Sequence, residues 1–85
     1  SPPEEAGKHE VYELLIDAGG MLDSQPHTRG AREHLTVSQG TVELRSGDAV
    51  GTVHAGDTAR YPADVPHRIA ATDGPVRAFL VVQDA

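Results

Sequence analysis

Turn signals recur so closely along this chain that little room is left for a helix. Ala18-Gly19-Gly20, Ser38-Gln39-Gly40, Ser46-Gly47-Asp48, Ala55-Gly56-Asp57, Pro62-Ala63-Asp64 and Asp73-Gly74-Pro75 each offer glycine for a positive φ, or proline and aspartate for a tight turn. The stretches between them are short and rich in Val, Leu, Ile and Thr. They predict strands over Glu10–Asp17, His34–Ser38, Thr41–Arg45, Ala49–His54, Thr58–Tyr61, His67–Ala71 and Val76–Val82. No window keeps helical periodicity over about ten residues. Many short, evenly spaced strands predict an all-β sandwich or barrel.

With 85 residues there is material for one domain. Ser1 to Lys8 (SPPEEAGK) reads as a linker or frayed N-terminus, which leaves 9–85 as the β domain. One Phe, two Tyr and no Trp mean that Val, Leu, Ile and Ala must build the core. So small a core is marginal, and a homodimer interface would bury further apolar strand surface. The absence of cysteine excludes disulfides, thiolate metal sites and a cysteine nucleophile. No apolar run approaches the roughly 20 residues of a membrane helix, and the polar N-terminus is no signal peptide. The expectation is a cytoplasmic protein with no membrane contact. A net charge of −6, with basic residues scattered singly, predicts no direct nucleic-acid contact by this segment.

Side-chain alternation locates the polar groups. Leu35 and Val37 are the apolar pair of their strand, and Glu33 shares their parity. If extended backbone continues backwards, so do Arg29 and His27. His67 shares parity with Ile69 and Ala71. Inward placement would bury one carboxylate and two imidazoles, which is costly without partners. A metal, a polar ligand or mutual hydrogen bonds would resolve that cost. The same alternation sends His34 to the opposite face. His9 and His54 fall at strand ends, where solvent or turn-capping roles are expected. Tyr61, before Pro62, is a candidate for the pocket mouth or for packing. Gly40, Gly47, Gly56 and Gly74 read as turn glycines, since no helix follows them to make a phosphate loop. Ser24, Ser38 and Ser46 lie in or beside turns, with no nucleophile-elbow sequence around them.

The stretch HTRGAREHLTVSQG, His27 to Gly40, resembles the first sequence motif of the cupin superfamily. His27 falls on its first histidine, Glu33 on its glutamate and Gly40 on its closing glycine. The stretch from Gly56 to Ala71 resembles the second motif, with Gly56, Pro62 and His67 in place. Arg29 stands where the family has a second metal-binding histidine and Met21 where it has the leading glycine. Asp64 and Ala71 replace the second motif's glycine and asparagine. The resemblance implies a small antiparallel jelly-roll β-barrel. It is closest in style to cupin domains that follow the DNA-binding segment of helix-turn-helix (XRE-type) transcriptional regulators.

That likeness implies a domain that senses a small molecule and dimerises, without catalysis, with Arg29, Glu33, His67 and Tyr61 as ligand-binding residues. Arg29 would disfavour a divalent ion by charge and favour a carboxylate or phosphate; a salt bridge to Glu33, or a solvent-exposed arginine, is the alternative. A second reading is a metal-dependent enzyme of dioxygenase or isomerase type, with Fe, Mn, Ni or Zn held by His27, Glu33 and His67. A third is a purely structural dimerisation module.

Overall fold

The computed structural model describes residues 9–84; the proposed linker at 1–8 lies outside the described residues. Eight strands follow one another: β1 (His9–Ile16), β2 (Met21–Ser24), β3 (Arg32–Gln39), β4 (Thr41–Ser46), β5 (Ala49–His54), β6 (Thr58–Pro62), β7 (His67–Ala71) and β8 (Val76–Gln83). They form two four-stranded antiparallel sheets, ordered β1-β8-β3-β6 and β2-β7-β4-β5. Each sheet alternates strands from distant parts of the chain, which is the jelly-roll arrangement.

The strands alternate faces as the sequence predicts. Leu35 and Val37 on β3, Val42 and Leu44 on β4, and Ile69 and Ala71 on β7 are all buried between the sheets. Val76, Ala78, Leu80 and Val82 of β8 join them in one aliphatic cluster with Ile16, Val53 and Tyr61. Thr36 and Thr58, opposite each other on β3 and β6, point outward and share a hydrogen bond of 2.8 Å.

Two observations differ from expectation. Strand β2 was not anticipated, because Met-Leu-Asp-Ser carries no β-branched residue. Its register is set by β7, and paired bonds extend the ladder into the preceding glycines: Gly19 N–H to the Ala71 carbonyl and Ala71 N–H to the Gly20 carbonyl, both 2.9 Å. The second difference lies before β3. Extended backbone does not continue from Glu33 back to His27. Gly30 adopts φ 85°, and Ala31 N–H bonds the Thr28 carbonyl at 2.9 Å, closing a turn. Strand parity therefore stops at Arg32.

Candidate functional site

Glu33 on β3, Tyr61 on β6 and His67 on β7 reach the same interior layer from both sheets. Glu33 and Tyr61 are register partners on one sheet, so their side chains share a face. His67 faces them from the other sheet, where it pairs with Ser24 of β2 and Ser46 of β4. His27 arrives from a loop. Its N–H bonds the Ala63 carbonyl at 2.8 Å, and Ala63 N–H bonds the Ala31 carbonyl at the same distance. Those bonds tie the β2–β3 connection to the β6–β7 connection. Asp64 helps, since its Oδ2 accepts from Gly30 N–H at 2.9 Å. The aspartate that departs from the second motif's glycine thus pins the turn that departs from strand geometry.

The four side chains converge on one carboxylate. Tyr61 Oη–H donates to Glu33 Oε1 at 2.6 Å. His27 Nε2 lies 3.0 Å and His67 Nε2 3.1 Å from Glu33 Oε2. The side chains of Glu33 and His67 are 2% and 1% exposed, whereas His27 is 36% exposed and forms the solvent side of the cluster. Burial first, then the bond to Glu33, pushes the Tyr61 phenol far above its ordinary range. Tyr61 sits inside, not at a mouth.

The His67 ring is oriented by its other nitrogen. Nδ1 lies 2.8 Å from the Val65 carbonyl, which can only accept, so Nδ1 carries the hydrogen. Nε2 then either shares a proton with Glu33 Oε2, or presents a lone pair to a cation. Both states satisfy the site. With protons, no buried side-chain nitrogen or oxygen among the described residues lacks a partner. With a cation, the ligand atoms of His27, Glu33 and His67, all within 4.8 Å of one another, supply two imidazoles and a carboxylate. An imidazole whose second nitrogen donates to a backbone carbonyl is the usual form of a metal-bound histidine. The donor set therefore fits a divalent metal.

Arg29 falls in the exposed turn after His27, and it makes no ion pair with Glu33 among the described residues. His34 lies on the outer face of β3, opposite Arg60, and His54 is exposed with Nδ1 3.4 Å from the Thr41 hydroxyl. Ser24 and Ser46, which the sequence places in or beside turns, flank His67 across the sheet. Their signal is register alone, visible once β2 and β4 are aligned on β7.

The family model described as Cupin_2, cupin domain, matches residues 12–82. Over 58 residues the chain is 31% identical to the HTH-type transcriptional regulator SutR of Escherichia coli, a match that takes in 68% of this chain and 33% of that protein. This chain thus spans about a third of that relative's length. Among solved structures, the Cupin_2 domain of an XRE family transcriptional regulator from Enterobacter cloacae superposes with a TM-score of 0.85. Identity there is 23%, and the match covers 92% of this chain and 83% of that one. An HTH_3 family transcriptional regulator from Vibrio cholerae matches equally well, at TM-score 0.85 and 22% identity, over 91% of this chain and 43% of the other. At those identities the likeness establishes the jelly roll.

Proposed function

The chain belongs to the cupin domain family, and from that premise we propose that it is the ligand-sensing, dimerising domain of a cytoplasmic helix-turn-helix regulator. The observation that carries the reading is the convergence of His27, Tyr61 and His67 on the buried Glu33. Mutual hydrogen bonds already satisfy this buried carboxylate, but they gather two imidazoles, a phenol and a carboxylate at one interior point, the kind of convergent polar group a binding site uses. A small polar or anionic molecule, or a metal ion, would take up part of that hydrogen bonding. His27 offers the solvent-facing approach, and Arg29 lies two residues beyond it. The resemblance to regulators supports the context, and the cluster supports a sensing role. Occupancy would act on regulation through its differential affinity for two arrangements of the linked domains.

The reading expects a DNA-binding segment N-terminal to this domain in the natural gene product. A gene product that starts at or just before Ser1 overturns it. The site itself is tested by thermal denaturation with Zn(II), Mn(II), Ni(II) or Fe(II), alongside elemental analysis of chelator-free protein. At a hundredfold excess over the dissociation constant, a bound ion stabilises by about 2.7 kcal/mol. That raises the midpoint by about 10–20 °C in a domain of this size. His27→Ala removes the shift.

The His67–Val65 bond favours a second reading, a metal-dependent cupin enzyme with His27, Glu33 and His67 as ligands. A metal there would supply Lewis-acid polarisation of a substrate oxygen. Tyr61 would hold Glu33 in position, and the Val65 carbonyl would keep the His67 lone pair inward. Absence of both stoichiometric metal and any stabilisation by added ions removes this second reading.

A further inference from the structure

Arg45 on β4 and Arg68 on β7 are cross-strand register partners, so both project from the outer face of the β2-β7-β4-β5 sheet. Like charges directly opposite one another are destabilising, and this chain places two guanidiniums there despite a net charge of −6. One of them is satisfied. Arg68 donates from Nε to Asp23 Oδ1 at 2.5 Å and from Nη2 to Asp23 Oδ2 at 3.2 Å. That bond holds the Asp23 carboxyl below its usual range. Glu43, two residues before Arg45 on the same face, adds to the field that stabilises the Arg68 cation. Arg45 itself makes no ion pair among the described residues.

A cleft of about 430 Å³ opens between these groups, lined by Asp23, Ser24, Arg45, Gly47, His67 and Arg68 among others. That volume lies within the range of small-molecule pockets. The Gly47 amide is already committed to the Pro66 carbonyl at 2.9 Å, so the backbone there has no spare donor at that residue. Recognition falls to the side chains. Arg45 brings its whole fork of N–H groups, and Arg68 brings those that Asp23 does not hold.

We propose that this cleft binds a small molecule through a carboxylate or phosphate group gripped by Arg45 and Arg68. Asp23 acts as a built-in competitor, occupying Arg68 until the external oxyanion arrives. The gripping side chains are distinct from the buried cluster, because Arg68 faces outward where its neighbour His67 faces inward, although His67 also borders the cleft. It stands whether or not the sensing reading does. The two are linked only through β7, which carries both residues.

The test is a two-dimensional NMR titration of the full chain with inorganic phosphate and, separately, succinate, with sodium chloride at matched ionic strength as control. Saturable shifts of the Arg45 and Arg68 Nε–H signals with either probe support the site, and the tighter probe identifies the anion class. Arg45→Gln weakens binding about tenfold, or ~1.4 kcal/mol. Asp23→Asn tightens it, since Arg68 is then released. Both substituted positions are solvent-exposed, and retained amide dispersion verifies the fold of each variant. The proposal fails if neither probe saturates or chloride reproduces the shifts. It fails equally if Arg29 and Arg60 respond as strongly, or if Arg45→Gln leaves the affinity unchanged.

Discussion

Glu33 uses both of its oxygens. Oε1 is held by the Tyr61 hydroxyl, and Oε2 faces two imidazoles. Tyr61 is the one donor to Oε1 among the described residues, so Tyr61→Phe leaves that oxygen buried and unpaired without changing the packed volume much. A hydrogen bond to a charged group is worth about 1.5–3 kcal/mol. The variant should lose that much stability in urea denaturation, with an unchanged slope. A loss under about 0.5 kcal/mol would mean that water or another group replaces the phenol. Glu33 is legible from sequence because Leu35 and Val37 set the parity of its strand, and His67 because it shares parity with Ile69 and Ala71, even though Ala70 between them is buried too. His27 was assigned to the same interior by an extension that the Gly30 turn breaks. It arrives there through backbone bonds to Ala63, which no periodicity encodes.

Strand β3 ends in a turn whose glycine does two jobs. Gly40 has φ 85°, and a Cβ there would stand 2.5 Å from the Pro75 carbonyl oxygen and 3.0 Å from Val76 Cγ2. Gly19 has a similar φ of 81°, but nothing lies within 4 Å of its Cβ position. Substitution at either position meets backbone strain of about 1–3 kcal/mol. Only Gly40→Ala also collides with backbone at the start of β8. Gly40→Ala should therefore destabilise by clearly more than Gly19→Ala, measured side by side in chemical denaturation. Equal costs would show that the β3–β4 turn can shift away from Pro75. Turn glycines of this kind made most elements readable in advance: β5 and β7 keep the bounds that their flanking turns predict. Strand β2 was hidden because its stability comes from pairing with β7, a long-range contact that local composition does not carry. The Arg45–Arg68 pairing was hidden for the same reason, since the two residues meet only through register.

At the scale of the molecule, the two sheets bury their inner faces, and both sheets keep some exposed apolar side chains, Met21 and Val50 on the β2-β7-β4-β5 sheet among them. On β1 and β8, Val11, Leu15 and Phe79 project outward and are exposed, with Leu15 at 75%. The Glu13–Arg77 ion pair, at 2.7 Å from Arg77 Nε, lies among them. We propose that a second copy packs on this surface about a two-fold axis. Apolar residues can meet their copies, and Glu13 of one subunit can meet Arg77 of the other. A chain this short, with an aliphatic core and few aromatics, gains from that added burial. On the regulator reading the axis would also set the spacing of two DNA half-sites. The expected species is a dimer, sedimenting near twice the 9.0 kDa chain mass. Leu15→Glu should convert it to monomer, because a carboxylate would be forced into the apolar seam without a partner. Leu15 touches solvent in the isolated subunit, so the variant keeps its fold and its circular dichroism. A wild-type monomer at high micromolar concentration, or a Leu15→Glu protein that still dimerises, would place the subunit contact elsewhere or remove it.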